Sequence, residues 1–313
     1  MTAAPQRLAA DVREGLRQTP PTLPARWFYD ERGSLLFDEI TRLPEYYPTR
    51  RETEILTARA IEIEAITGAT TLVELGSGTS TKTRLILDAL TIERPLTFVP
   101  IDISAEILTD AAKSIAADYP AVTVHAIVAD FDGPLGRLPG EEGHRLVAFL
   151  GGTVGNFDTE GRAGLFRRLR NSLASGDHLL IGADLQKRAD RLVAAYDDSA
   201  GVTAKFNLNL IDVLRRDLDA EGLTPDDFTH VARWNPTEGR IEMWLRAEHD
   251  VHARFPGIAF DWQIEAGEEM LTEISVKFDL PVLHREMADQ GFDVVKAWTD
   301  DDGDFSLTLA RAA

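Results

Sequence analysis

The chain contains no cysteine among its 313 residues. Disulfide bonds, thiolate nucleophiles and zinc or iron–sulfur centres built on cysteine are therefore excluded. Its seven histidines are scattered, and the neighbouring pair His249 and His252 has no carboxylate or third histidine at the spacing of metal ligands. We therefore expect an activity that uses no metal ion.

Long apolar runs and basic residues are also scarce. No apolar run reaches the roughly 18–20 residues that cross a membrane, and the N-terminus lacks the apolar core of a secretion signal. Lysine and arginine total 33 against 52 aspartates and glutamates, which gives a formal net charge of −19. Such a field repels nucleic-acid phosphates and anionic lipids. We expect a cytoplasmic monomer that binds neither nucleic acid nor membrane and acts on a small amine or amino acid.

The segment TLVELGSGTS at 71–80 is typical of a cofactor site. An apolar strand, Leu72–Leu75, runs into a glycine turn, Gly76–Gly78, and an amphipathic helix follows. Glycines let a ligand approach the backbone closely. The dinucleotide fingerprint needs a further glycine at the position of Thr81, so S-adenosylmethionine fits better than a dinucleotide. The motif alone leaves a dinucleotide enzyme and a purely structural turn open.

Strand and helix patterns alternate from residue 71. Candidate strands are 72–75, 97–101, 122–128, 146–150 and 178–183, with helices such as 105–118 and 160–173 between them. This alternation predicts an α/β fold with a mainly parallel, doubly wound sheet, whose ligands bind at the carboxyl ends of the strands. The Gly76 loop, Asp102, Asp130 and the loop 151–156 should therefore share one rim.

The flanking segments have a different character. Residues 1–50 are rich in proline and aromatic residues, and residues 188–218 have a helical pattern. The segment 241–247 alternates as a half-buried strand, and strands near 249–255 and 258–265 continue it. A helix at 281–290 and strands at 293–298 and 305–310 then complete the sheet. We predict a core formed by 51–187 and 276–313, and a smaller mixed α+β domain formed by 1–50 and 188–275.

Three polar positions on the predicted rim suit a nucleoside cofactor. Asp102 after the second strand could hold ribose hydroxyls, although it could also cap the next helix. Asp130 with Phe131 could bind adenine, although a turn aspartate is an alternative. Lys82 could meet the cofactor's carboxylate, or it could be a solvated surface lysine.

Other positions suit an amino-acid substrate. Asn156 in FLGGTVGNF offers a donor and an acceptor, although a capping role is an alternative. Glu273 and Ser275 lie two apart, and in an extended segment they would share a face and could bind both nitrogens of an imidazole. Spacing alone favours an exposed edge strand for this pair. Tyr29, Tyr46 and Tyr196 lie outside the predicted sheet, where they could line a pocket or simply pack in a core.

Six segments in chain order resemble the histidine-specific Nα-methyltransferase family of ergothioneine biosynthesis. They are LPARWFYDERGSLLFDEITRLPEYYPTRRE (23–52), LVELGSGTSTKTRLIL (72–87), FLGGTVGNF (149–157), AYDDSAGVTAKFN (195–207), IEMWL (241–245) and GEEMLTEISVKF (267–278). The resemblance covers nearly the whole chain. It implies a Rossmann-like methyltransferase core with a separate substrate domain. It also implies trimethylation of the α-amine of L-histidine to hercynine, with S-adenosylmethionine converted to S-adenosylhomocysteine.

The resemblance also implies a role for each matched residue. Tyr29 would orient the reacting amine. The cofactor would be bound by Gly76, Lys82, Asp102, Asp130 and Phe131, and the substrate by Tyr46, Gly151, Asn156, Tyr196, Met243, Glu273 and Ser275. In this assignment Glu273 and Ser275 bind the imidazole, and an apolar residue at 273 would suit an indole substrate instead. A relative acting on another amine and a non-catalytic binding protein are the alternative hypotheses.

Overall fold

The computed structural model describes residues 3–92, 94–130, 133 and 136–313, with the side chains of residues 3–5 excepted. The chain divides into two compact units. The smaller unit comprises Met1–Tyr47 and Arg188–Ser275, and the larger comprises Pro48–Lys187 and Val276–Ala313. The first boundary lies three residues before the expected one, because Pro48 already occupies the first turn of a helix, where its missing N–H removes no hydrogen bond.

Helices and strands largely alternate between residues 48 and 184, and not outside that range. The helices are α1 (Ala3–Gly15), α2 (Glu31–Ile40), α3 (Pro48–Thr67), α4 (Thr83–Leu90), α5 (Ala105–Asp118), α6 (Thr159–Ser172), α7 (Ala189–Tyr196), α8 (Val202–Asp217) and α9 (Leu280–Ala288). The strands are β1 (Thr71–Leu75), β2 (Leu96–Asp102), β3 (Val122–Val124), β4 (Ile127–Val128), β5 (Arg145–Phe149), β6 (His178–Asp184), β7 (Phe228–Asn235), β8 (Arg240–Ala247), β9 (Val251–Phe255), β10 (Phe260–Ile264), β11 (Glu269–Val276), β12 (Phe292–Thr299) and β13 (Phe305–Ala312). Among the described residues, no helix has the length and apolar character that a membrane crossing requires.

The larger unit contains a sheet in the order β12-β13-β6-β5-β1-β2-β3, with β4 also paired to β2. Strands β3, β2, β1, β5 and β6 run parallel, whereas β13 runs antiparallel to both β6 and β12. Strands β1, β5 and β6 are buried along their whole length, as expected for parallel strands covered on both faces. The expected mainly parallel sheet, completed by the last two strands, is therefore confirmed.

The strand order reverses at β1, whose neighbours are β2 and β5. Ligands of open α/β sheets bind beyond the carboxyl ends of the strands at such a reversal. The loops that follow β1, β2 and β5 begin at Gly76, Ile103 and Leu150. The sheet therefore places the glycine loop next to the residues that follow β2 and β5.

The smaller unit is a mixed α+β structure. Strands β11, β8 and β7 form one sheet, and β9 and β10 pair antiparallel in another. Helices α2 and α8 pack together, and a large apolar core joins the helices to these sheets. The N-terminal segment joins β11 through the Leu23 N–H to the Leu271 carbonyl, at 2.9 Å, and the Leu271 N–H to the Pro21 carbonyl, at 2.8 Å.

The predicted and the observed elements differ in three places. The helical segment predicted at 188–218 is two helices, because the chain turns at Gly201 (φ 69°) and Asp198 caps α8. The strand predicted at 122–128 is interrupted between β3 and β4. Strand β7 was not predicted, although Phe228, His230 and Ala232 alternate along it.

Candidate active site

The glycine loop after β1 is held to the end of β2. The N–H of Gly76 donates to the carbonyl of Ile101 at 2.8 Å. Gly76 and Gly78 have φ values of 65° and 48°, in the left-handed region that favours glycine. These contacts fix a tight turn at the carboxyl end of β1, with Gly76 exposed.

Asp102 connects this loop to helix α5. One carboxylate oxygen accepts the N–H of Gly78 at 2.9 Å, and the other accepts the N–H of Ser104 at 2.9 Å. Ser104, and not Asp102, occupies the N-cap position of α5. A carboxylate has about four acceptor sites, so two remain for the hydroxyls of a ribose.

Lys82 is neither a solvated surface lysine nor an isolated charge. Its ammonium forms an ion pair with the fully buried carboxylate of Glu52 on α3. The same carboxylate accepts the N–H of Gly151, with oxygen distances of 2.8 and 3.0 Å. Lys82 and Gly151, which we expected to serve cofactor and substrate respectively, therefore share one anionic partner.

Glu52 is a residue that the sequence reasoning missed. It lies on the apolar face of α3 that also carries Ile55 and Leu56, three and four positions later. A carboxylate on an otherwise apolar helical face is unusual and signals a buried partner. That pattern is visible in the sequence and could have identified it.

Glu74 is a second buried carboxylate, located in β1 directly before the loop. The hydroxyl of Thr83 donates to its carboxylate at 2.6 Å. Burial raises the pKa of Glu74 to about 8, although the hydrogen bond from Thr83 and the charge of Lys82 act in the opposite direction. Glu74 therefore binds a proton in the folded protein well above the pH at which an exposed glutamate loses it.

Glu74→Gln is expected to flatten the pH dependence of folding stability. Between its ordinary pKa of 4.5 and its folded pKa of about 8, the folded protein holds a proton that the unfolded chain has released. This difference makes the stability of the wild type fall as the pH rises through that window. Glutamine is neutral throughout, so the variant lacks this pH-dependent contribution to the free energy of unfolding.

Urea unfolding at a series of pH values measures this effect. Glu64→Gln on α3 is a suitable control, because its side chain is ion-paired with Arg94 outside the loop. Equal pH slopes for the wild type and Glu74→Gln would contradict the raised pKa of Glu74.

Two hydroxyls in the loop are consistent with a polar ligand. The side chains of Ser77 and Ser80 are buried, and their oxygens have no hydrogen-bond partner among the residues that the structure describes. Ser80 also has a φ of 53°, uncommon for a residue with a side chain. Asp130 is half-buried after β4, and Phe131, the expected adenine contact, lies outside the described residues. The donor and acceptor set around the loop suits S-adenosylmethionine.

The loop after β5 presents Asn156. Gly151 and Gly152 have φ values of 78° and 70°, and a short 3-10 helix, Thr153–Asn156, follows. The cap of α6 is Asp158, whose carboxylate accepts the N–H of Gly161 at 2.7 Å. Asn156 is therefore not that helix's cap.

In the smaller unit, the predicted tyrosines belong to one aromatic cluster. The Tyr29 ring contacts Phe37 and Phe206 edge-on, with centroid distances of 5.5 and 5.3 Å. Phe37 contacts Tyr46 at 6.1 Å, and Tyr46 contacts Tyr196 at 6.3 Å. The structure thus brings Tyr29, Tyr46 and Tyr196 together through ring contacts. Phe37 and Phe206 belong to the same cluster, although the sequence pointed only to the tyrosines.

The cluster continues into β11. The hydroxyls of Tyr196 and Ser275 are 2.8 Å apart and buried. Glu273 lies two residues before Ser275 on the same strand and is half-buried. Spacing alone favoured an exposed position for this pair. That prediction is wrong for Ser275, because the Tyr196 hydroxyl covers the Ser275 side chain. Met243 on β8 is buried, and its carbonyl accepts the hydroxyl of Thr272 at 3.0 Å.

A buried histidine is hydrogen-bonded to the backbone carbonyl of Tyr196. One ring nitrogen of His230, Nε2, is 2.8 Å from the carbonyl of Tyr196, and the other, Nδ1, is 2.9 Å from the amide nitrogen of Asn207. Since the carbonyl can only accept and the amide nitrogen can only donate, the ring is neutral with its proton on Nε2. Burial lowers the pKa of His230, which favours this neutral form. His230 was missed because β7 was missed.

The larger unit also contains an acidic cluster. Within the described part of the chain, Asp300, Asp302 and Asp304 bring carboxylate oxygens within 4.8 Å of one another. Arg51 forms ion pairs with all three, at 3.6 Å from Asp300 and 3.3 Å from Asp304. The guanidinium therefore supplies counter-charge at this cluster.

Comparison with known proteins identifies the family. A family profile described as SAM-dependent histidine-specific methyltransferase matches residues 8–312. The chain belongs to this family. It is 50% identical over 309 residues to histidine N-alpha-methyltransferase from Mycolicibacterium smegmatis, covering 98% of this chain and 96% of that protein. It is 49% identical over 304 residues to histidine N-alpha-methyltransferase from Mycobacterium tuberculosis, covering 97% and 94% respectively.

A solved structure supports the fold of this family member. The PH0226 protein from Pyrococcus horikoshii OT3 aligns with a TM-score of 0.50 and 12% sequence identity, and the alignment covers 91% of this chain and 100% of that one. At this identity the likeness concerns the fold alone. The expected fold class, the expected family and its dependence on S-adenosylmethionine are therefore confirmed, and the roles of individual residues remain predictions.

Proposed function

We propose that this protein transfers methyl groups from S-adenosylmethionine to the α-amine of L-histidine, three in succession, to give hercynine. The observation that carries the proposal is the near full-length match to the histidine-specific family. The geometry adds a glycine loop with an acidic partner, and a tyrosine cluster whose Tyr196 hydroxyl contacts Ser275 on β11, the strand that also carries Glu273. The acidity of the chain supports a small-molecule substrate over nucleic acid or an anionic membrane.

The larger unit is the proposed cofactor-binding core. Asp102 would hold the ribose hydroxyls, Lys82 the carboxylate, and Asp130 with Phe131 the adenine, while the Gly76 turn lets the backbone approach. S-adenosylmethionine, when bound, supplies an electrophilic methyl group on a sulfonium that leaves as a neutral thioether. No acid is needed for this leaving group, and these residues bind and orient without exchanging protons.

The histidine head group is the proposed partner of Tyr46, Tyr196, Gly151 and Asn156. The histidine carboxylate would accept hydrogen bonds from the Tyr46 hydroxyl and the Asn156 amide NH2, and the amine would donate to the Asn156 amide oxygen. Tyr196 would offer its hydroxyl oxygen as an acceptor, because its proton goes to Ser275, and Gly151, whose N–H donates to Glu52, would contact the substrate without donating to it. Tyr29 would orient the amine so that its lone pair points at the methyl group. Alignment of this kind can supply a large part of the rate enhancement of a displacement reaction.

The imidazole is the proposed partner of Glu273 and Ser275, with Met243 packing beneath it. A neutral imidazole has one donor and one acceptor nitrogen. Glu273 would accept from the first, and the Ser275 hydroxyl would donate to the second while accepting from Tyr196. This arrangement favours histidine over substrates whose rings lack two polar edges.

The aromatic cluster gives a physical reason for repeated methylation at one site. Before each transfer the α-nitrogen releases one proton to the solvent, so that its lone pair can attack. Each transfer makes the amine larger and less hydrated, and the third leaves a quaternary ammonium without a proton. The faces of Tyr29, Phe37 and Tyr46 can stabilise such a cation, and cation–π contacts tolerate added methyl groups better than hydrogen bonds do.

Mass analysis of histidine incubated with the protein and S-adenosylmethionine tests the proposal. We expect the histidine to gain three methyl groups, all on the α-nitrogen, and tryptophan in a parallel reaction to gain none. Unchanged histidine, or transfer to a ring nitrogen, would refute the proposed function. Calorimetric histidine binding without any product would instead support a non-catalytic binding protein.

A further inference from the structure

Glu52 lies in the larger unit at a buried position whose surroundings leave room for a charged side chain. The carboxylate is completely buried and lies against β6, where a Cβ on residue 182 would overlap one of its oxygens. Gly182 therefore leaves the room that Glu52 fills. A buried carboxylate is costly unless charges and hydrogen bonds satisfy it, so its partners are informative.

Those partners come from two different loops. One partner is the ammonium of Lys82, the residue directly before α4 and close to the glycine turn. The other is the N–H of Gly151, which lies in the loop that leads to Asn156. The side chain of Lys82 remains partly exposed, at 22% of its area, so it can still reach a ligand. Lys82 has three N–H donors, and Glu52 leaves some of them available.

We propose that Glu52 is a positioning residue that holds the Lys82 ammonium ready for the cofactor's carboxylate and fixes the Gly151 backbone at the same time. This inference rests on the proposed function, because it takes Lys82 as a cofactor contact. Holding a flexible four-carbon side chain in one conformation before binding removes an entropic penalty of association. A buried ion pair contributes little to stability compared with apolar packing, which favours a functional reason for this one.

Glu52→Gln separates the two contacts. The glutamine oxygen can still accept the N–H of Gly151, but its amide group cannot neutralise Lys82. We expect the Kd for S-adenosylhomocysteine and the KM for S-adenosylmethionine to rise roughly tenfold, and the KM for histidine to change less than about threefold. Glu64→Gln on the same helix, which loses a pair with Arg94, should leave all three constants unchanged.

Lys82→Met and the double variant complete the cycle. Lys82→Met leaves Glu52 as a buried unpaired anion, so it should lower both ligand affinity and the melting temperature. Adding Glu52→Gln to Lys82→Met should restore the melting temperature and weaken cofactor binding no further than about twofold beyond Lys82→Met alone. Independent effects on the Kd, which multiply in the double variant, would overturn the proposal.

A purely structural Glu52 predicts a different result. In that case Glu52→Gln would lower the melting temperature while the folded protein bound S-adenosylhomocysteine as the wild type does, and the proposal would fail. If Glu52→Gln does not fold, Glu52→Asp is the test, since the shorter side chain keeps the charge but draws away from both partners. The same rise in Kd is expected there, and unchanged binding refutes the proposal.

The proposed function is judged separately, by wild-type methylation of histidine. Calorimetry with S-adenosylhomocysteine needs no histidine, so a wrong substrate assignment would leave the binding result intact. Failure of the wild type to bind S-adenosylhomocysteine would overturn both proposals, whereas normal turnover with unchanged binding in Glu52→Gln overturns this one alone.

Discussion

Glu273→Gln is expected to lower kcat/KM for histidine by roughly 10- to 200-fold, with the KM for S-adenosylmethionine changed by less than about twofold. In the proposed site the carboxylate accepts the N–H of the imidazole. Glutamine presents either a weaker acceptor or a second donor to that nitrogen. A charged acceptor that becomes neutral loses about 1–3 kcal/mol, more when a buried donor is left unpaired.

Steady-state kinetics with each substrate varied in turn measures this change. Glu269→Gln is the matched control, because Glu269 lies on the same strand β11 but its carboxylate pairs with Arg233 and Arg246. The control should lose little histidine turnover. If both variants lose activity equally, Glu273 acts through the strand's stability and does not bind the ring.

The same position offers a test of substrate choice. Glu273→Leu removes both polar atoms and should abolish histidine turnover while improving the relative acceptance of tryptophan. An apolar residue suits an indole because the ring then leaves no buried carboxylate unpaired. Persistent histidine turnover in Glu273→Leu would contradict the assignment of Glu273 to the imidazole.

The sequence predicted the larger unit better than the smaller one. Its central strands are largely apolar runs, such as residues 146–149 in β5, because both faces of a parallel strand are covered. Local patterning therefore determines them. In contrast, β7 was missed because its residues are polar enough to resemble a loop, and its pairing with β8 connects positions such as Phe228 and Ala247 only after folding.

The site shows the same limit. Gly76 and Asp102 follow strands, so their neighbourhood can be inferred from topology alone. Glu52 is distant in sequence from both Lys82 and Gly151, and nothing local to it names those partners. The Tyr196 and Ser275 contact likewise joins a helix end to a strand 79 residues later. The family resemblance named Tyr196 and Ser275, but only the folded chain shows that their hydroxyls meet.

Asp102→Ala is expected to weaken S-adenosylhomocysteine binding roughly 100-fold, equivalent to just under about 3 kcal/mol. The carboxylate already accepts the N–H groups of Gly78 and Ser104, so its removal loosens the loop and leaves both donors unpaired. It also removes the proposed acceptors of the ribose hydroxyls. Asp102→Asn keeps part of the hydrogen-bond acceptors, so its affinity for S-adenosylhomocysteine should lie between that of Asp102→Ala and that of the wild type.

Calorimetry with a 2′-deoxy analogue separates the two losses. If Asp102 binds the ribose, the analogue should bind the wild type more weakly than S-adenosylhomocysteine does, and Asp102→Ala should weaken its binding much less than 100-fold. Asp279→Ala is the control, because Asp279 also accepts a backbone N–H, that of Val282 at 3.2 Å, but at the start of α9. Equal losses for both ligands in Asp102→Ala would show that Asp102 only shapes the loop. The carboxylate would then resemble Glu52, an anion that acts on the cofactor through the protein groups it holds in place.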